Sequence, residues 1–210
     1  MSDARAPTEA DLRPTEFLET AHPAILAFVQ RVAADAPDAT ERARRLFAAV
    51  RDEIRYNAYA LPTDPADYRA SAVLEARTGY CVPKSVLLTT VARAAGIPAR
   101  LGFADVRNHL QTERLREQMG TDLFLYHGYS TLYLEGRWLK ASSAFNAELC
   151  ARFGVEPLDF DGTGDALLHP FSGDGSTYME YVRDHGDFDD LPFERLMDAY
   201  GTAYPALICG

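Results

Sequence analysis

The residues best suited to nucleophilic chemistry in this chain are its three cysteines and five histidines. They are Cys81, Cys150 and Cys209, and His22, His109, His127, His169 and His185. A cysteine thiolate served by a histidine base can attack an amide carbonyl and form a covalent acyl intermediate. The thiolate is the reactive form, so the position of each thiol decides which cysteine is a candidate.

Cys81 stands at the start of a predicted helix. From Val82 to Ala95 the sequence is apolar on nearly every face, Pro83 suits a first helical turn, and Gly96 is a good terminator. A helix that is apolar all round is expected to be buried. Cys81 would then lie at a helix N-terminus, where free N–H groups and the helix dipole stabilise a thiolate.

The neighbours of Cys81 add to this expectation. Gly79 permits a close approach of backbone to a substrate, and the N–H of Cys81 is placed to contribute to an oxyanion hole. Lys84 follows at the third position, where we expect a solvated lysine in preference to a partner of the thiolate.

Among the histidines, His127 alone begins a predicted strand, where a base would be held rigidly. The others fall in a surface helix, a charged stretch and a loop-rich tail: His22, His109, His169 and His185. We therefore expect His127 to be the base that serves Cys81.

The elements that must position these residues follow from hydrophobic periodicity. Helices are predicted over Phe17–Ala33, from a cap at Thr40 to about Tyr56, and over Ser71–Arg77, Asn146–Phe153 and Phe193–Tyr200. Strands are predicted over Ile97–Val106, Tyr126–Leu134 and Arg137–Ala141, the last two as a β-hairpin. Helices first and strands later predict an α+β fold, preceded by a loose or peripherally docked arm over Met1–Glu16.

Length and composition limit the classes of function. The 210 residues suit one domain, and 47% apolar and 25% charged residues are ordinary for a globular protein. A net charge of −10 disfavours nucleic acid and anionic membranes as partners. No apolar run approaches a membrane span, and no signal segment or disulfide framework is recognisable, so we expect a cytoplasmic protein with reduced thiols.

No metal or cofactor is expected. The acidic segments Asp159–Asp165 and Asp184–Asp190 lack the calcium-loop pattern, which favours solvated loops. Four tyrosines near Cys81 either wall a substrate groove or pack in the core, two alternatives that the sequence leaves open: Tyr56, Tyr59, Tyr68 and Tyr80.

Three sequence blocks together resemble the transglutaminase-like superfamily of papain-fold cysteine enzymes. The blocks are Gly79–Ser85, Arg93–Arg100 and His127–Trp138. The resemblance covers about residues 46–146 and implies a papain-like core, a buried Cys-bearing helix packed on an antiparallel sheet. It also implies Cys81 as nucleophile and His127 as base, within a single domain that has an N-terminal helical extension and a loop-rich C-terminal tail.

One position departs from the family pattern. Four residues after the hairpin Trp138, where family members have an aspartate that orients the histidine, this chain has Ser142. A hydroxyl can hydrogen-bond an imidazole but cannot offset its charge. Ser142 is the first choice of orienting residue by position and Asn146 the second, while Asp159 and Asp161 are further alternatives.

These observations predict an acyl-transfer enzyme acting on an amide bond of a peptide, protein or small molecule. Water as acceptor gives a protease or amidase, an amine gives a transglutaminase, and hydrolysis is the default. The alternative is a catalytically idle member of the fold that binds a peptide or a protein, which the missing aspartate favours. Oligomeric state is left open by the sequence.

Overall fold

The structure, a computed structural model, describes residues 5–59, 61–109, 111–167 and 179–208. The helices are α1 Pro23–Ala33, α2 Ala39–Glu53, α3 Ala70–Ala76, α4 Cys81–Ala94, α5 Glu113–Met119, α6 Ala147–Phe153, α7 Phe193–Ala203 and α8 Pro205–Ile208. The strands are β1 Arg55–Tyr56, β2 Thr78–Gly79, β3 Ala99–Asn108, β4 Leu123–Leu134, β5 Arg137–Ala141 and β6 Met179–Phe188. The predicted α+β class is confirmed.

The central element is α4, which the sequence predicted to be buried. Every residue from Cys81 to Arg93 is buried. The helix packs against α1, α2 and α3 and, through its other faces, against β3 and β4. Because apolar side chains occur all round this helix, only a position enclosed by other elements removes them from water.

Helix α1 begins at Pro23 and helix α2 begins at Ala39. Pro23 is the first residue of α1 and His22 caps it, its Nδ1 accepting the N–H of Ala24 at 3.3 Å. In α2 the cap is Asp38, whose carboxylate accepts the N–H of Glu41 at 2.8 Å. The predicted cap at Thr40 was wrong: Asp38 precedes the helix and accepts the free N–H, while Thr40 already lies in the first helical turn.

The main sheet has the strand order β5-β4-β3-β6, and all neighbours are antiparallel. The predicted β4–β5 hairpin turns at Glu135 and Gly136, both at positive φ, as a tight turn between twisted strands requires. The sequence missed β6. It is an edge strand with most residues exposed and two register shifts, so it lacks an alternating apolar pattern.

The described part of the N-terminal arm is docked on the sheet. Asp11 is fully buried and pairs with Arg100, whose Nε lies 2.6 Å from Oδ1 of the carboxylate. The indole Nε1–H of Trp138 donates to the carbonyl of Arg5 at 2.6 Å. Of the two alternatives for this arm, docking therefore describes residues 5–16.

Candidate active site

The backbone before Cys81 is fixed by a short parallel strand pair. Residues Thr78 and Gly79 of β2 pair with β1, and the N–H of Asn57 donates to the carbonyl of Gly79 at 3.1 Å. Tyr80 follows with its hydroxyl 2.8 Å from that of Tyr68, in a buried position. Cys81 is then the first residue of α4, so its sulfur has little freedom to move with the loop.

Strand β4 contacts the first turn of α4 at Gly128. A Cβ on this residue would lie 2.7 Å from Ser85 Oγ, 2.9 Å from Val82 Cα and 3.2 Å from the Cys81 carbonyl oxygen. Only glycine allows this approach without displacing backbone. The N–H of Gly128 also hydrogen-bonds the Cys81 sulfur. The backbone directly after His127 therefore contacts the candidate nucleophile.

Burial decides the protonation state of Cys81. It raises the pKa of the thiol to about 11, and hydrogen bonds from the N–H groups of Gly128 and Val82 lower it only in part. The helix N-terminus was expected to favour the thiolate, but desolvation of the charged form is the larger effect here. The resting residue is therefore a thiol at neutral pH.

His127 lies within β4 with only 2% of its surface exposed. Burial lowers the pKa of its imidazole to about 4, so the ring is neutral at pH 7 and able to accept a proton. Ser142, directly after β5, places its hydroxyl oxygen 3.4 Å from Nε2 of this ring. With Nε2 turned toward Ser142, Nδ1 is the nitrogen left to serve a nucleophile.

The other three candidate orienting residues bind partners other than the His127 ring. Asn146 is buried, but its Oδ1 accepts the N–H of Tyr56 at 3.2 Å. Asp159 is 74% exposed beside Arg51, and Asp161 is exposed and hydrogen-bonded to Thr163. Of the orienting residues proposed from the sequence, Ser142 alone is within hydrogen-bond reach of the imidazole.

The expectation of a solvated Lys84 is wrong. Lys84 is completely buried, and its ammonium donates to the carbonyl of Arg51 at 2.8 Å and to the carbonyl of Ile54. Burial lowers its pKa to about 7. Lys84 thus caps the C-terminal end of α2, where carbonyls lack helical partners. Its ammonium binds these carbonyls and is not a partner of the Cys81 thiolate.

A small apolar cavity of about 30 Å³ lies beside Cys81. Its lining includes Tyr56, Met119 of α5, Tyr200 of α7 and Leu207 of α8. This space holds about one water molecule, so the cavity is small beside the sulfur.

The tyrosines upstream of Cys81 differ in their placement, and a substrate groove walled by them stays a prediction. Tyr80 separates the cavity beside Cys81 from a second one of about 210 Å³, and Tyr56 lines the first. Tyr68 is fully buried and packs edge-on against Tyr80, while Tyr59 is exposed.

The remaining candidates have other partners or lie outside the described residues. His185 is in β6 and hydrogen-bonds Asp105, and Cys150 is a buried free thiol in α6. His169 and Cys209 fall outside the described residues. The role of Gly128 was not predicted from the sequence, although an isolated glycine within a strand pattern signals a close approach of backbone.

Among the residues that the structure describes, no helix could span a lipid bilayer. Likewise, those residues contain no group of three or more His, Cys, Asp or Glu side chains arranged to hold a metal ion.

The profile of the Transglutaminase-like superfamily matches residues 26–143, more than half of the chain. This stretch contains Cys81, Gly128, His127 and Ser142. No curated protein matches the chain in sequence.

Three solved structures resemble parts of the chain. A candidate cysteine protease from Cytophaga hutchinsonii has 14% identity and a TM-score of 0.49 over 63% of this chain and 40% of its own. A candidate protease from Parabacteroides distasonis has 16% identity and a TM-score of 0.41 over 58% and 23%. The periplasmic domain of TgpA from Pseudomonas aeruginosa has 18% identity and a TM-score of 0.47 over 67% and 48%. The chain thus spans less than half the length of each.

Proposed function

Since the chain belongs to the transglutaminase-like superfamily, we propose that it is a cysteine-dependent enzyme that cleaves an amide bond through Cys81. The observation that carries the proposal is the hydrogen bond between the Ser142 hydroxyl and Nε2 of His127. His127 lies in β4, and the residue after it, Gly128, contacts the first turn of α4. A neutral imidazole held by a hydrogen bond and a thiol at a helix N-terminus are the two groups that nucleophilic acyl transfer requires.

In the proposed reaction the Cys81 thiol gives its proton to Nδ1 of His127 as the sulfur bonds to the amide carbon. The carbonyl electrons move to the oxygen, where the N–H of Cys81, free of a helical partner, donates to the oxyanion. Collapse breaks the C–N bond, and the amine leaves with the proton from His127. A water molecule, deprotonated by the same imidazole, then hydrolyses the thioester and restores the thiol.

Ser142 supports this cycle weakly. Its hydroxyl fixes the ring and its tautomer, but it carries no charge to stabilise the imidazolium that forms during attack. In serine proteases, replacing the corresponding carboxylate by an amide lowers kcat about 10⁴-fold. We therefore expect a slow enzyme whose thiol is uncharged until substrate is bound.

The lining of the site favours an apolar acyl group, and hydrolysis stays the default reaction. The cavity beside Cys81 is bordered mainly by aromatic and aliphatic side chains, including Phe124 and Leu207. The proposed substrates are therefore peptides, proteins or small amides with an apolar group on the acyl side. A reduced thiol suits the cytoplasmic location expected from the sequence, which stays a prediction.

A second candidate is an inactive member of the family that binds a peptide or protein. Two observations favour it: Ser142 stands in place of a carboxylate, and the Cys81 thiol is 5% exposed with a raised pKa. Binding without turnover would then persist when the sulfur is removed.

The test is turnover of a fluorogenic peptide library with apolar residues before the scissile amide, with and without an added primary amine. We expect hydrolysis by the wild type, none by Cys81→Ala, and unchanged rates in Cys150→Ala, which removes the other described thiol. An amine-dependent product would identify a transferase. If the wild type and Cys81→Ala bind equally and neither turns over peptide, the enzymatic proposal fails and the binding module is favoured.

A further inference from the structure

The residue before His127 has a strained backbone. Tyr126 has a φ of +51°, in the left-handed region that a bulky aromatic residue rarely adopts. Such a conformation persists only where surrounding contacts hold it, and strain of this kind concentrates at functional sites.

This strain belongs to a bulge in β4. In the β3–β4 ladder, Val106 pairs with Phe124 and Ala104 pairs with His127. The two β3 residues are two positions apart, whereas their β4 partners are three positions apart. Strand β4 therefore carries one extra residue just before the proposed base. Bulges re-aim side chains near active sites, and a shift of one residue moves a side chain to the other face of a sheet.

A second bulge lies opposite, in β6. Phe103 and Ala104 are consecutive in β3, yet they pair with Gly186 and Asp184, which leaves His185 as the extra residue. A further register shift in β6 falls between Asp105 and Val106 of β3, so β3 runs between two bulged strands whose three irregularities occur beside Asp105.

Asp105 joins the two bulges. Its Oδ1 accepts the N–H of Tyr126 at 3.0 Å and lies 2.7 Å from Nε2 of His185. The His185 ring also stacks on the Tyr126 ring, with 4.2 Å between centroids and 10° between planes. The Asp105 residue is only 7% exposed, so water does not compete effectively for these bonds.

Two further backbone groups of β4, the carbonyl of Leu123 and the N–H of Leu125, bind Tyr204, the residue that follows α7. The Tyr204 hydroxyl donates to the carbonyl of Leu123 at 2.7 Å and accepts the N–H of Leu125 at 2.6 Å. Side chains from β3 and from the end of α7 therefore satisfy the bulge where ladder hydrogen bonds are lost.

We propose that Asp105 is a positioning residue for the His127 base, acting with His185 as a clamp that maintains the β4 bulge. The inference rests on the proposed function, because its consequence for catalysis needs His127 to be the base. Without the clamp, Tyr126 relaxes from its left-handed conformation and the His127 ring moves away from the Ser142 hydroxyl.

The test compares Asp105→Ala, Asp105→Asn and a control, Asp187→Ala. Asp187 lies in β6, two residues after His185, and hydrogen-bonds a β4 side chain, Thr131, at 2.9 Å. Thr131 is five residues after Tyr126, so this bond lies outside the β4 bulge. We expect Asp105→Ala to lower kcat on a peptide substrate by about 10- to 100-fold with KM changed less than about twofold, as a misplacement near 1 Å does. Asp105→Asn, whose amide oxygen can still accept the Tyr126 N–H, should retain most of the activity.

A second readout is independent of turnover. The ring resonances of His127, assigned by their loss in His127→Gln, should shift in Asp105→Ala and stay unchanged in Asp187→Ala. Unchanged His127 resonances in Asp105→Ala would overturn the clamp, and so would equal losses of kcat in Asp105→Ala and the control. A wild type without turnover would refute the proposed function instead, while the resonances would still decide the role of Asp105.

Discussion

Replacing Ser142 by aspartate should turn a weakly supported base into a strong one. The hydroxyl oxygen of Ser142 lies 3.4 Å from Nε2 of His127, and both residues are buried. A carboxylate at this position would accept the same hydrogen bond and add a negative charge beside the ring. It would therefore stabilise the imidazolium that forms when Cys81 loses its proton.

The magnitude follows from Coulomb's law. At an effective dielectric constant near 20, opposite charges about 4 Å apart interact by about 4 kcal/mol, equivalent to about 3 pKa units. Burial of the new carboxylate opposes part of this gain. We expect the pKa of His127, now lowered to about 4, to rise by about 1 to 3 units in Ser142→Asp. Peptide hydrolysis should rise at least about tenfold, toward the roughly 10⁴-fold effect of such a carboxylate in serine proteases.

The assay combines an NMR titration of the His127 ring with kcat/KM on the best peptide of the library. Ser142→Asn is the matched control, because it has nearly the shape of aspartate and no charge. Ser142→Ala removes the hydrogen bond and should lower kcat without restoring any charge. If Ser142→Asp folds as the wild type does but neither its His127 pKa nor its rate exceeds those of Ser142→Asn, then Ser142 is not the orienting position.

Three further predictions concern the environment of the site. Gly128→Ala should lose about 1–3 kcal/mol of stability and most activity, since its Cβ would lie 2.9 Å from Val82 Cα, whereas Gly164→Ala meets no atom within 4 Å and serves as control in thermal unfolding. His127 has a pKa near 4 when folded and about 6.5 when unfolded, so the folded state binds fewer protons between these pH values. The free energy of unfolding should therefore fall by about 3 kcal/mol from pH 6.5 to 4, and in urea unfolding it should fall less for His127→Gln. Lys84 has a pKa near 7 when folded and about 10.4 when unfolded, so the unfolded state binds more protons above pH 7. The free energy of unfolding should therefore rise by about 2 kcal/mol from pH 7 to 8.5, and urea unfolding of Lys84→Met should lack this rise.

The sequence was most informative where one pattern determined one structure. The all-apolar face of α4, with Pro83 in its first turn and Gly96 after its end, fixed both the burial of the helix and the location of Cys81. The β4–β5 hairpin followed in the same way from alternation and from the turn residue Gly136.

Other features depend on contacts between distant residues and could not be predicted locally. Strand β6 has a polar composition and becomes a strand only because β3 offers it a free edge. The bonds of Asp105 to Tyr126 and His185 join three strands and leave no periodic signal. The raised pKa of Cys81 arises from burial, which outweighs the helix N-terminus that the sequence did indicate.

The central claim is that Cys81 forms a covalent acyl intermediate, and mass spectrometry of an acid-quenched reaction tests it most directly. With an apolar peptide ester or amide, we expect the acyl mass on the peptide that contains Cys81, and a longer-lived adduct when His127→Ala slows hydrolysis of the thioester. An adduct only on Cys150 or Cys209, or no adduct while the wild type hydrolyses the substrate, would contradict the account.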